Sequence, residues 1–190
     1  MIICGNCGHG NRSGAARCAK CGKLLPGTVL QTRFRVQSVL PGGGQGTIYL
    51  AQALHLGNHQ CIVKELRESF ADPNERQSAV QMFESEASML QRLNHPRIPR
   101  VMDHFEDYGK HYIAMAYVQG ETLEAVLQRE GSPGLPEEQV LGWVDQICEV
   151  LEYLHSQNPP VIFRDLKPSN IMLGPDGHIS LIDFGISRFF

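Results

Sequence analysis

Long apolar runs are missing from this sequence: none approaches the ~18 residues that would cross a bilayer, which excludes a helical membrane span. The start, MIICGNCG, lacks a basic stretch followed by an apolar one, so no secretory signal is expected and the cytoplasm is the expected location. A strong charge of either sign is also missing. Seventeen Lys and Arg against 20 Asp and Glu leave a net charge of -3, with no basic field for nucleic acid or an anionic membrane. No internal repeat or low-complexity tract is present. No catalytic triad can be assembled from the eight histidines, and His95 before Pro96 reads as a turn residue. The apolar fraction, 42%, is enough for a core and too high for a disordered chain.

The cysteines are unevenly spread. Cys4, Cys7, Cys18 and Cys21 form C-x2-C-x10-C-x2-C, with Gly5, Gly8 and Gly22 beside them. Each C-x2-C puts two thiolates on one tight turn, and two such turns can supply four tetrahedral sulfur ligands to Zn²⁺. About 25 residues do not bury enough surface to fold without a metal or a crosslink. Zinc is the expected ion, with iron in the same geometry as the rival and two disulfides as the other alternative. A site using all four ligands on protein is structural. The segment resembles a short zinc ribbon, and a protein partner for it is the expectation that follows. Pro26 and Gly27 in LLPGT read as a linker, giving domains at 1–26 and 27–190. Cys61 and Cys148 read as buried apolar residues.

Beyond the linker, 34–40, 47–54, 59–66 and 111–118 read as strands. Helices are expected at 75–93, with Ala79, Met82, Phe83, Leu90 and Leu93 on one face, at 122–130 capped by Thr122, and at 137–156. On the last, Val140, Val144, Ile147, Cys148, Leu151 and Leu154 share a face. Short strands near 161–163, 171–173 and 179–182 follow. Strands first and helices later is an α+β arrangement.

Several polar residues need explaining. Residues 40–48, LPGGGQGTI, form a glycine-rich turn between strands; backbone N–H groups there can approach phosphate, though a plain hairpin tip reads the same way. It is not a Walker A loop, which needs GK[ST] leading into a helix. Lys64 shares a strand face with Ile62 and Leu66, so it needs an anion or must reach solvent. Glu86, four residues after Met82 and four before Leu90, poses the mirror problem; pairing the two solves both, unless one is solvated at an edge. Asp165, Asn170 and Asp183 follow in FRDLKPSN and DFG, and they offer hard oxygen ligands suited to Mg²⁺. In this order the set is specific, whereas each part alone is weak.

On those motifs, residues from about 34 to 190 resemble the first part of a eukaryotic-like Ser/Thr protein kinase domain of the bacterial kind. The resemblance implies a protein-kinase-like fold, with a small sheet-based lobe over about 30–118 and a partial helical lobe over 119–190. It implies that Gly42, Gly43, Gly44 and Gly46 cover the ATP phosphates. Ile48, Ile62 and Met172 would enclose adenine. Met115 falls at the gatekeeper, and Ala116, Tyr117 and Val118 form the hinge. Lys64 would hold the α- and β-phosphates and pair with Glu86. Asp165 would orient the substrate hydroxyl, Lys167 support the γ-phosphate, and Asn170 and Asp183 hold Mg²⁺. Leu90, Val101, Phe163 and Phe184 would form an apolar column. The implied reaction moves the γ-phosphoryl group of ATP to Ser or Thr of a protein.

Departures from the pattern are Pro41 for the first glycine, Ile62 for the alanine before the lysine, Phe163 for the histidine of H-R-D, and Ala116 in the hinge. None removes a charged group at phosphate or metal. The activation segment, an A-P-E motif and the later helices are not among the 190 residues. The expectation is therefore an incomplete chain with poor turnover and uncovered apolar surface on helix 137–156 and at Phe189 and Phe190; the alternative is a nucleotide- or partner-binding fragment acting through its ribbon.

Overall fold

A computed structural model describes residues 1–190 apart from 42–45, 67–71, 131–133, 184–187 and 190, and gives only the backbone of Pro73, Arg76, Glu86, Arg188 and Phe189. The chain forms two compact units, Met1–Ala87 with Val101–Tyr117, and Ser88–Arg100 with Val118–Phe190. The α+β arrangement is as expected.

The first unit opens with a two-stranded ribbon, β1 (Ile2–Ile3) and β2 (Gly10–Asn11). The strands β3 (Val29–Leu30), β4 (Phe34–Leu40), β5 (Gly46–Ala53) and β6 (His59–Leu66) come next, followed by helix α1 (Pro73–Arg92) and then β7 (Val101–Asp107) and β8 (Lys110–Ala116). Six of these strands make one antiparallel sheet in the order β3-β4-β5-β6-β8-β7.

Strands β4 and β6 match the expected ranges, and β5 and β8 lie within two residues of theirs. Strand β7 was not expected. Its sequence, VMDHFED, is dominated by residues that disfavour strands. It is an edge strand, where such residues are tolerated and block further pairing. The turn into β8 is equally disguised. Tyr108 and Gly109 both have positive φ, 47° and 66°, as a two-residue type I′ turn requires, but a tyrosine in that place is not a turn signal.

One face of the sheet buries Phe34, Val36, Tyr49, Ala51, Ala53, Cys61, Val63, Tyr112 and Ala114. Leu24 and Leu30 belong to the same cluster, while Leu25 packs with Cys4 and Cys18. The stretch that reads as a linker is thus a joint: its two leucines are fully buried in two different cores. The compact units do not divide at residue 27.

On α1, Phe83, Ala87 and Leu90 are buried, but Met82 is 56% exposed and is not on the buried face. The burial stripe follows 83, 87 and 90, one position round from Met82.

The second unit holds β9 (Glu121–Thr122), α2 (Leu123–Glu130), α3 (Glu137–His155), β10 (Val161–Ile162), β11 (Ile171–Leu173), β12 (Ile179–Leu181) and β13 (Arg188–Phe189). A three-stranded sheet runs β12-β11-β9, and β10 pairs with β13. Thr122 caps α2 as expected: its Oγ1 accepts from the Ala125 N–H at 3.2 Å.

Helix α3 packs against β10 and β12 through a different stripe from the expected one. Trp143, Val150 and Leu154 are buried, whereas Val140, Val144 and Cys148 are exposed. The helix has two apolar stripes, and the one carrying the large Trp143 is chosen because it buries more area. Cys61 is buried as expected.

Candidate functional site

Strand register brings the sequence-singled residues of the first unit together. Directly opposite residues in an antiparallel pair share a face. Ile48 lies opposite Lys64, and Lys64 opposite Ile113. Leu50 lies opposite Ile62, and Ile62 opposite Met115. Ile48, Ile62, Lys64 and Met115 therefore form one patch on the sheet face away from the Tyr49 and Val63 core. Lys64 is 8% exposed within this apolar surround. Gly46 begins β5 beside this patch, opposite Leu66. Ala116 ends β8 and Tyr117 follows, exposed. Gly42, Gly43 and Gly44, Phe184, and the Glu86 side chain lie outside the described residues; the Glu86 backbone is in α1.

In the second unit the loop between β10 and β11 is organised by Asn170. Its Nδ2 donates to the Asp165 carbonyl at 2.9 Å and to the Asp165 carboxylate Oδ2 at 3.0 Å. The Asn170 N–H donates to the Lys167 carbonyl at 2.9 Å, and its carbonyl accepts from the Ile182 N–H at 2.9 Å. That last bond joins the loop to the strand end that carries Asp183. Lys167 Nζ lies 2.7 Å from Asp165 Oδ2. The Lys167 contact, and then the Asn170 amide, hold the Asp165 carboxyl below its usual range. Asp165 in turn raises the Lys167 ammonium, with Asp183 adding a smaller push in the same direction.

Asn170 is buried, so its amide is fixed by these partners rather than by chance. Asp183 adopts φ of 61°, a left-handed conformation uncommon outside glycine that re-aims the chain just after β12. Met172 sits in β11 between Thr122 and Ser180, and Val118 leads toward β9. Phe163 is buried.

Gly120 is a residue the sequence did not mark. At φ of 141°, a Cβ there would collide with the Leu173 carbonyl, so the approach to β9 needs glycine.

The four N-terminal cysteines converge, with all four sulfurs within 4.8 Å of one another. Cys4 and Cys21 Sγ are 3.6 Å apart, as are Cys7 and Cys18. Four sulfurs at ~2.3 Å from a tetrahedral zinc are separated by ~3.8 Å, so the spacing fits that ion.

The two turns are copies of each other. The Cys4 N–H donates to the His9 carbonyl at 2.9 Å and the Cys18 N–H to that of Lys23 at 2.8 Å. Gly8 and Gly22, at φ of 70° and 72°, close the turns by donating to the Cys4 and Cys18 carbonyls. Asn11, overlooked in the sequence, ties them together. It donates to the His9 carbonyl at 2.9 Å and accepts from the Ala19 N–H at 2.9 Å. Burial opposes ionisation of Cys18, but the amides of Cys21 and Lys20 and the Asn11 side chain outweigh it and bring the thiol down to about 6. Among the described residues, no helix is long and apolar enough to cross a membrane.

Comparison with known proteins matches residues 34–190 to the family model of the protein kinase domain. The chain is 37% identical over 184 residues to serine/threonine-protein kinase B of Synechocystis sp., covering 95% of this chain and 31% of the relative. Coverage of that extent necessarily enters the cysteine-bearing segment ahead of residue 34. It is 33% identical over 164 residues to serine/threonine-protein kinase PrkC of Bacillus subtilis, covering 86% of this chain and 24% of that protein. A probable serine/threonine-protein kinase of the same organism, YbdM, is 31% identical over 166 residues, covering 87% and 61% of the two chains. The chain thus spans less than a third of the first two relatives.

Proposed function

The chain belongs to the protein kinase domain family, and from that premise we propose that it serves a Ser/Thr protein kinase that moves the γ-phosphoryl group of ATP to a protein hydroxyl. The observation that carries this is the Asp165–Lys167–Asn170 constellation, in which one buried amide and one ammonium clamp a single carboxylate. The relatives' names support the choice of Ser/Thr over other acceptors.

Asp165, held ionised by Lys167, orients the acceptor hydroxyl and takes its proton late. Its lowered basicity suits orientation better than early proton abstraction. Lys167 keeps positive charge beside the transferring group. With Nδ2 given to Asp165, Asn170 offers Oδ1 as its ligand atom, and the Asp183 carboxylate is the second hard ligand; the donor set fits Mg²⁺. Bound Mg²⁺ supplies neutralisation of phosphate charge. Lys64 serves the α- and β-phosphates with Glu86 as its partner. Ile48, Ile62, Met115 and Met172 give apolar contact to adenine, with backbone groups of Ala116, Tyr117 and Val118 to hydrogen-bond it. Gly42, Gly43, Gly44 and Gly46 cover the phosphates.

The domain assignment is a zinc ribbon at 1–26 and a kinase domain from 27, with Zn²⁺ in a structural role at Cys4, Cys7, Cys18 and Cys21. A reaction that draws on ATP places the protein in the cytoplasm. A Ser/Thr-bearing protein is the substrate, and a second protein is a candidate partner of the ribbon.

The test is transfer of radiolabel from γ-labelled ATP to casein with Mg²⁺, beside a Lys64→Met variant. Loss of at least ~100-fold in the variant is expected; equal transfer by both would overturn the assignment.

A further inference from the structure

Residue 65 follows Lys64 and, in an extended strand, faces the opposite side of the sheet. There Glu65 meets the cysteine module. Arg17, the residue before the ligand Cys18, places Nη1 3.2 Å from each Glu65 carboxylate oxygen. The same Nη1 donates to the Gly22 carbonyl at 2.8 Å, next to the ligand Cys21. Its Nη2 donates to the Tyr112 hydroxyl. The Tyr49 hydroxyl donates to Glu65 Oε2 at 3.0 Å and accepts from the Leu24 N–H at 3.2 Å. Tyr49 and Tyr112 are fully buried, and the Glu65 side chain is 12% exposed.

One guanidinium thus joins both cysteine turns to the strand that carries Lys64. Tyr112 lies directly opposite Glu65 on β8, and Tyr49 comes from β5, so the three strands under Lys64 are gripped at one point. A planar fork is needed to hold a carbonyl, a carboxylate and a hydroxyl together, and a lysine ammonium does not reproduce it. The enclosed setting makes the grip stiff, because an unpaired Glu65 carboxylate there is costly.

We propose that Arg17 is a positioning residue for phosphoryl transfer: through Glu65 it fixes the height and twist of β6, and so sets Lys64 on the other face of the strand. This rests on the kinase reading of Lys64 above. It assigns the cysteine module a part in the chemistry beyond recruitment of a partner.

The test uses the full chain with zinc bound, and reads the rate at which an acyl-phosphate derivative of ADP acylates Lys64, followed by peptide mass spectrometry. That rate reports the lysine's placement against the phosphates without needing turnover. Arg17→Met, Arg17→Lys and Tyr112→Phe are compared with the wild type, along with zinc content and kcat and KM for ATP. Expected are full zinc content, labelling and kcat reduced roughly tenfold in both Arg17 variants, and KM changed less than ~2-fold. Tyr112→Phe, which leaves the cysteine module intact, shows a smaller loss of the same kind and decides the matter if the Arg17 variants do not fold. Wild-type Lys64 labelling that excess ATP does not suppress would overturn the kinase reading itself. ATP-suppressible labelling at wild-type rate and kcat in all folded variants would leave that reading intact and sink the role of Arg17.

Discussion

Asn170 and Asp165 are locked together by two bonds from one amide group, at 2.9 Å to the backbone carbonyl and 3.0 Å to the carboxylate. Neither residue can move without the other. Replacing Asn170 with Ala removes both bonds and a proposed metal oxygen. The expected result is a kcat lower by roughly a hundredfold or more, with a stability loss of about 1–3 kcal/mol from the orphaned buried groups. Phosphotransfer assays and denaturant unfolding check the two parts separately.

Lys167 and Asp165 give a pH prediction. The Asp165 carboxyl is held low by the Lys167 contact first and Asn170 second. A carboxyl lowered in the folded state contributes stability above its unfolded pKa and loses it as the pH falls through the folded value. Lys167→Met removes the larger cause, so Asp165 titrates at higher pH in the variant. The acidic limb of the kcat/KM profile moves to higher pH; an unmoved limb would mean that another group controls it.

Chelating zinc is expected to destabilise more than the cysteine turns. Leu24 and Leu30 are part of the sheet core, and Arg17 is tied to Glu65. Loosening residues 1–26 therefore opens the face behind β5, β6 and β8. Thermal unfolding with a chelator, followed by zinc re-addition, tests this. The transition is expected to fall by at least ~5 °C and to recover with zinc. Loss of structure confined to the first 26 residues would contradict it.

His95 supplies a second pH dependence. Its Nδ1 accepts from the Arg97 N–H at 3.2 Å, and its ring packs on Tyr153 at 4.9 Å. Burial, then the Arg97 charge, lower its pKa. The unfolded chain then binds more protons than the folded one, so stability falls as the pH drops below about 6.5. Denaturant unfolding on either side of that pH should show a weaker fold on the acid side. In His95→Gln the difference should shrink.

The parts legible in the sequence were those set by short-range chemistry. Strands β4 and β6, the Thr122 cap and the two cysteine turns follow from alternation, hydrogen-bonding side chains and ligand spacing within a few residues. The grouping of Asp165, Lys167 and Asn170 was also legible, because six residues of one loop carry all three. Other features were hidden where local signals misled. Strand β7 is acidic because it lies at an edge. Leu24 and Leu25 look like spacer residues but fill two cores. Val140, Val144 and Cys148 form a sound apolar stripe that lost to the one holding Trp143.

By itself the sequence determined which chemistry is present: four thiolates at zinc spacing, a strand lysine, and an Asp-Lys-Asn loop followed by a second aspartate. Those depend on residue identity and neighbouring spacing, which a chain carries into any fold. The tertiary structure alone decided which residues meet across long separations. Strand register put Ile48, Ile62, Lys64 and Met115 on one face and Glu65 on the other. The packing of the cysteine module then set Arg17 against Glu65, 48 residues away. Such a pairing has no local signature, because it is selected by the burial of Tyr49, Tyr112 and Leu24 around a charge that needs a partner.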